Sequence, residues 1–319
     1  MDAALTDLGE GIVRVTLPLP WALDHVHCYA VADPGGWTLV DAGLGSNRTL
    51  AAWDAALAEL GSPPVRRVLI THYHPDHLGA ASRLAAATGA TEVIQGRYDA
   101  ELSEQVWGDD ADNEDFTAYL IRHGMPEEMA RRSTEDENRL AVSPAPTTRL
   151  VDEGDTVELG GEQFAVYVLP GHADGHIVLV GQRSGRVVGG DVLLAEITPN
   201  VGRWPDTAAD PLGSYLRSLE RLASFDPTLV LPGHGPVISD ARARCAEIAE
   251  HHAERLDTHL AVLETGATSA FDVAQKVWEG ELGSHEQRFA LVEAISHLER
   301  LEREGRAQLV ADARWAPVR

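Results

Sequence analysis

The stretch Ile70–Ala81, ITHYHPDHLGAA, follows the apolar Val68 and Leu69 and places His72, His74, Asp76 and His77 within six positions. A buried strand that stops on four polar side chains needs a reason, because each buried polar group costs free energy unless something binds it. Histidine supplies only 14 of 319 residues, so composition does not account for three of them beside an aspartate. His72 and His74 lie two apart at what reads as a strand end, which projects them to one side. Pro75 stops the strand and leaves Asp76 and His77 in the turn that opens the next helix, at Leu78 to Ala81. Four nitrogen and oxygen donors thus converge within one turn, a set suited to a borderline divalent metal such as zinc.

Six positions cannot close two metal sites, so further ligands are expected at other strand ends. Three residues qualify: His172 in LPGHADGH, after the run ending at Leu169; Asp191 in VVGGDVLL, after Val187 and Val188; and His234 in LVLPGHGP, after Leu229 to Leu231. Each has glycine beside it, which lets backbone approach a crowded centre.

Around these motifs, short apolar runs at residues 11–19, 28–33, 37–43 and 65–72 read as strands, and Thr49–Leu60 and Ala80–Thr88 as helices, so this half is α/β. Residues 99–140 turn acidic and helical and read as an insertion covering one edge of the fold, a natural place for a substrate lid. Strand signals resume at Thr156–Leu159, Gln163–Leu169, Ile177–Val180 and Arg186–Val188. The two strand-rich blocks run in the same order, strand, Leu-Pro, histidine-bearing loop, strand, turn, strand, Gly/Asp ending, which suggests an internal duplication. Near residue 240 the pattern changes to three helices, Asp240–Leu263, Thr268–Trp278 and Glu286–Glu304, followed by a short strand pair. Residues 1–240 are therefore expected to form one domain and 241–319 a small α+β module shaped like a winged helix.

Net charge is −24, from 26 basic and 50 acidic residues, and no Lys/Arg run interrupts it. That field is expected to repel nucleic acid and anionic membrane surfaces. Residues 240–319 carry 15 acidic and 10 basic side chains, whereas a nucleic-acid-binding winged helix shows a basic recognition helix. The module is expected to pack or dimerise, and a homodimer is compatible with it. The acidic runs GDDADNED (108–115) and STEDE (133–137) read as solvated surface. Neither a signal peptide nor a membrane span is visible, and Cys28 and Cys245 make no metal knuckle or disulfide framework, so a cytoplasmic protein with reduced thiols is expected.

THYHPDH with GHADGH, GGD and PGHGP resembles the metallo-β-lactamase fold superfamily of metal-dependent hydrolases, over about residues 8–240. The resemblance implies an αββα sandwich with a dinuclear centre at the edge of its two sheets. It assigns His72, His74 and His172 to one metal, Asp76, His77 and His234 to the other, and Asp191 to the bridge between them. Zn2+ is the expected metal, with Fe or Mn as alternatives. An aspartate at the bridge is similar to the glyoxalase II, lactonase, thioesterase and ribonuclease branches, whereas β-lactamases with a cysteine ligand carry it there. The implied chemistry is attack by a hydroxide shared between the metals on a small-molecule ester, thioester or lactone, with Asp76 orienting the water or taking up its proton. A phosphodiesterase or endoribonuclease of the same fold, and a mononuclear-iron persulfide dioxygenase, are the alternatives.

Asp41, in TLVDAGLG, matches a family position expected to support the ligands from behind. His25 and His27 fall on a loop that could rim the site, although the family usually has Asn near His27. His176 is expected to be structural, and His251, His252 and His259 to be solvent-exposed on a polar helix. Trp107, Phe116, Tyr119 and Met125 could line an acyl pocket or pack the insertion helices.

Overall fold

The structure is a computed structural model and describes residues 4–108, 113–138, 142, 147–266, 268–278, 280, 282–311 and 313–318. In chain order the elements are β1 (Ala4–Asp7), β2 (Ile12–Pro18), β3 (His25–Asp33), β4 (Gly36–Val40), α1 (Asn47–Glu59), β5 (Val65–Ile70), α2 (Pro75–Leu78), α3 (Ala81–Thr88) and β6 (Glu92–Gly96). The insertion holds α4 (Arg97–Trp107), α5 (Asn113–Arg122) and α6 (Glu127–Asn138). There follow β7 (Arg149–Val151), β8 (Thr156–Leu159), β9 (Glu162–Val168), β10 (Ile177–Gly181), β11 (Arg186–Gly190), α7 (Pro211–Ser224) and β12 (Leu229–Pro232). The C-terminal part comprises α8 (Ala241–Glu264), α9 (Ala270–Val277), α10 (Ser284–Arg303) and the hairpin β13 (Ala307–Ala311) and β14 (Arg314–Pro317).

β1 to β7 form one sheet in sequence order, and β12-β11-β10-β9-β8 form a second. Alternation along the strands decides what each sheet covers. In β5, Leu69 points into the core between the sheets with Val40, Ile94, Val166 and Leu179, while Val68 and Ile70 point outward to Trp53 of α1 and Leu84 of α3. On the far side, Val178, Val187 and Val230 meet Leu212, Tyr215 and Leu219 of α7. The result is the expected αββα sandwich. Burying Val68, Leu69 and Ile70 contributes on the order of 2 kcal/mol each, which anchors the polar loop that follows.

The suggested duplication has a counterpart in the topology. β2/β3 and β3/β4 are antiparallel and β4/β5 parallel, with α1 between the last two. β9/β10 and β10/β11 are antiparallel and β11/β12 parallel, with α7 in the corresponding place. Asp41 and Asp191 follow the third strand of each set, and His72 and His234 follow the fourth.

The strand assignment differs from expectation at the motif itself. β5 ends at Ile70, so His72 and His74 stand in the loop beyond it. The reason is competition for backbone groups: Asp41 Oδ1 accepts the Thr71 N–H at 2.8 Å and Asp99 Oδ1 accepts the Tyr73 N–H at 2.9 Å, taking both from the ladder. The insertion does more than cover an edge, because Leu120, Met125 and Ala130 of its α5–α6 part share one core with α7, α8 and α10. In the C-terminal part, His252 and His259 are buried rather than exposed, at 0% relative accessibility, and only His251 is partly accessible. They lie on the face of α8 that also buries Cys245, Ile248, Leu256 and Leu263. Residues 109–112 of the first acidic run lie outside the described residues, while Ser133–Glu137 lie in α6.

Candidate metal centre

Four chain-distant loops deliver the expected ligands to one end of the sandwich. His72 Nε2 lies 3.1 Å from His74 Nδ1, which lies 2.9 Å from His172 Nε2, so three nitrogens gather at a point. Beside them, His234 Nε2 is 3.3 Å and His77 Nε2 3.9 Å from Asp76 Oδ2. Asp191 Oδ2 stands between the trios, 3.5 Å from His172 Nε2, 3.4 Å from His77 Nε2 and 3.3 Å from His234 Nε2. Within a span of 4.8 Å the donor atoms form three overlapping groups that could hold an ion: His72/His74/His172, His72/His77/Asp191 and Asp76/His77/His234.

The rear nitrogens fix the orientation of these rings. His77 Nδ1–H donates to Asp41 Oδ2 at 2.8 Å, His172 Nδ1–H to the Asn200 carbonyl at 2.8 Å and His234 Nδ1–H to the His25 carbonyl at 2.8 Å. Carboxylate and carbonyl oxygens only accept, so in each case Nδ1 carries the proton and the lone pair of the neutral ring is at Nε2. Asp41 holds this place at φ 59°, a left-handed conformation that aspartate tolerates better than most residues. Behind the centre, His176 Nε2 accepts the Asp191 N–H at 3.1 Å, and its ring stacks on His72 at 4.5 Å.

The electrostatics of this end call for a cation. Burial, then mutual crowding, pushes His72 well below the usual histidine range, and burial, then His172, does the same for His74. Burial also lowers His172 and drives His176 down to about 3. Burial opposes charge on His77 and His234 as well, yet Asp191 with Asp41 and Asp76 raises His77, and Asp191 with Asp76 raises His234 to about 10. Asp76, resisted by burial, is nonetheless held at about 2 by His77 and His234. The carboxylates are thus drawing protons onto nitrogens whose neutral form ligates metal. Three buried atoms at this end, His77 Nε2, Asp191 Oδ1 and His176 Nδ1, have no hydrogen-bond partner, and the first two face the donor cluster. A side chain at Gly233 would close the space, since an added Cβ would meet Asp191 Oδ1 at 2.3 Å and His77 Cε1 at 2.6 Å. Orphaned donors, a mixed nitrogen and oxygen set and a cradle kept open by glycine together fit divalent metal.

His25 and His27 belong to strand β3 rather than to a rim loop. His27 is buried and its Nδ1 pairs with Thr16 Oγ1 at 3.1 Å; His25 serves the centre through its carbonyl. Neither lines the cleft above the ligands. Of the four insertion residues, Trp107 and Phe116 line that cleft, Tyr119 donates its hydroxyl to the Arg203 carbonyl at 2.6 Å, and Met125 is buried in the core. Sequence reasoning did not find Asn200, Asp99 or the hydrogen bond from Trp107 Nε1 to the Tyr73 carbonyl at 2.9 Å. These clamp the motif from remote segments, and no local pattern marks them.

A sandwich of this order with this donor set defines a class, and the comparisons with known proteins agree. Residues 21–234 match the metallo-beta-lactamase superfamily and residues 256–315 the metallo-beta-lactamase-like C-terminal domain. The chain belongs to the metallo-beta-lactamase superfamily. It is 30% identical to a probable metallo-hydrolase of Bacillus subtilis over 92% of this chain and 93% of that one. It is 28% identical to a hydroxyacylglutathione hydrolase of Cereibacter sphaeroides over 70% of each. Among solved structures, a metallo-beta-lactamase family protein of Thermus thermophilus superposes with a TM-score of 0.86 at 31% identity, covering 98% of this chain and all of that one.

Proposed function

We propose that this protein is a metal-dependent hydrolase that cleaves a small-molecule ester, thioester or lactone. His72, His74 and His172 would hold one divalent ion, Asp76, His77 and His234 a second, and Asp191 both, with Zn2+ favoured over Fe or Mn. The observation that carries the reading is Asp191, whose Oδ2 lies within 3.5 Å of ligand nitrogens from both trios. Two such ions would bring a water towards neutral acidity and polarise the oxygen of a substrate carbonyl. The chain's own groups supply the rest. Asp76 lines the cleft as an ionised acceptor, placed to orient the attacking water. In the reaction, the water oxygen bonds to the acyl carbon, the bond to the leaving group breaks, and the water proton passes to the leaving group. Asp41, Asn200 and His25 keep the histidine rings aimed. The acidic charge supports a small-molecule substrate over nucleic acid, and we assign the C-terminal module, a winged-helix-like unit, to packing and to shaping the cleft.

Metal analysis of the purified protein, with turnover of a panel of aryl esters, acyl thioesters, lactones, β-lactams and bis-p-nitrophenyl phosphate, tests this. Two Zn or Mn per chain and turnover of carboxylic esters are expected. One Fe per chain with thiol-dependent oxygen uptake, or cleavage of the phosphodiester alone, would overturn it.

A further inference from the structure

The cleft over Asp76, Asp191 and His234 has a volume of about 960 Å³, room for a body much larger than an acetyl group. Its walls are aromatic and come from six separate stretches: Trp21 after β2, Trp107 ending α4, Phe116 of α5, Trp204 before α7, Trp278 after α9 and Phe289 of α10. Charge on these walls is one-sided. Asp206, Glu286 and Glu293 line the cleft, whereas Arg288 is the one arginine or lysine among the described lining residues. Arg288 is a strut within the wall: it is 3% accessible, its guanidinium lies 5.2 to 6.0 Å from the ring centroids of Phe116, Trp204 and Phe289, and Nη1 donates to the Ser133 carbonyl at 3.2 Å.

Glu293 is a half-buried carboxyl in this frame. Its Oε2 accepts Asn200 Nδ2–H at 2.7 Å, and the carbonyl of the same asparagine holds ligand His172, so the carboxyl sits two hydrogen bonds from the metal centre. Among the described residues no protein group bonds its Oε1. Burial pushes the carboxyl up to about 7, with the Asn200 contact opposing.

We propose, resting on the hydrolase reading above, that the site selects uncharged substrates with a bulky apolar or aromatic body, and that Glu293, supplied by α10, is the specificity residue that accepts a hydrogen bond from a substrate hydroxyl or amide and turns away anionic ones. Away from the metal centre, an anionic thioester carrier would meet Asp206, Glu286 and Glu293 with no cation other than the wall-bound Arg288 among the described lining residues, and like charges brought together repel. The aromatic walls favour the apolar body by desolvation and stacking.

The test uses p-nitrophenyl esters of matched length ending in methyl, hydroxyl or carboxylate, on the metallated enzyme. Wild type is expected to favour the methyl-ended over the carboxylate-ended ester by about tenfold or more in kcat/KM, and to show a lower KM for the hydroxyl-ended one. Glu293→Gln keeps an acceptor but loses the charge, so it should narrow the methyl-to-carboxylate ratio while retaining the hydroxyl preference and bound metal. Glu293→Leu should lose the hydroxyl preference, read as equal KM for the methyl-ended and hydroxyl-ended esters. Binding of the matched amides, read by quenching of tryptophan fluorescence, reports the same order without turnover. If the amides bind in that order but no ester is hydrolysed, the hydrolase reading fails and this selectivity stands. A preference for the carboxylate-ended compounds, or an unchanged ratio in Glu293→Gln, would overturn the inference.

Discussion

Two groups of histidines among the described residues gather in different surroundings. At the sandwich end, His72, His74, His77, His172 and His234 alternate with Asp76 and Asp191, and their Nε2 or Nδ1 atoms converge. In the C-terminal module, His252, His259 and His297 are all at 0% accessibility and, among the described residues, their ring nitrogens meet only one another and backbone carbonyls. His259 stacks on His297 at 4.5 Å with the planes 5° apart, and His252 Nδ1 lies 3.3 Å from His297 Nε2. His259 and His297 donate Nδ1–H to carbonyls four residues back on their own helices, those of Arg255 and Glu293. Histidine density alone therefore does not define a metal site. Interleaved carboxylates, which supply charge, and loops beyond strand ends, which let side chains from distant segments meet, make the difference.

The sharpest way to break this contrast is Asp191→Ala. It removes the oxygen shared by both trios, so bound metal and ester turnover should disappear together, turnover falling by about 10³-fold or more; His72→Ala should behave alike. Elemental analysis beside kinetics reads the result, and a fully metallated, fully active Asp191→Ala protein would sink the assignment. Asp41→Asn tests the layer behind. Asparagine tolerates the left-handed backbone at this position, so the change removes charge from behind His77 with little backbone strain, while its amide leaves either the Thr71 N–H or the His77 Nδ1–H without its acceptor. Affinity for one of the two ions should weaken by about 10- to 100-fold, measured by chelator competition. Wild-type affinity would mean that the Asp41 charge does not tune His77.

The donor cluster was legible because the sequence writes it locally: an apolar run, a glycine, then a ligand type at His172, Asp191 and His234, and an apolar run followed by Thr71 and the dense His72–His77 motif. Asp41 and Asp191 sit at equivalent places in the two topologically matching halves; the residues alone marked Asp191 as a ligand candidate, and the resemblance supplied its bridging role and the supporting role of Asp41. The structure separates them physically, with Asp41 Oδ2 behind His77 and Asp191 Oδ2 among the ligand nitrogens. The β5 boundary was misplaced because the aspartates that take the Thr71 and Tyr73 amides come from elsewhere in the chain. The histidines of α8 were misread by residue type, although their spacing with Cys245, Ile248, Leu256 and Leu263 follows a buried helical face. His297 joins them from a different helix, which no local pattern records.

The smallest expected effect concerns the module's cluster and has a definite sign. Burial first, then His251 and Arg255, lowers His252 to about 3; burial, then the Arg255 charge, lowers His259 to about 4; burial, then His259 and His252, places His297 well below 6.5. These rings are neutral bases in the fold, while the unfolded chain titrates near 6.5. Their contribution to stability is therefore whole above 6.5 and is lost as the pH falls towards 3 to 4, since the unfolded state binds the protons first. At pH 5 that loss is about 2 kcal/mol for His252 and for His259, and His297 acts in the same direction. His297→Leu keeps apolar bulk and removes one of the three, so its denaturation midpoint should fall less than that of wild type between pH 7 and pH 5. Metal content at pH 7 should stay at the wild-type level, because His297 is no ligand. An unchanged pH slope would show that the cluster is not held neutral, and a loss of metal would show that the two histidine groups are not independent.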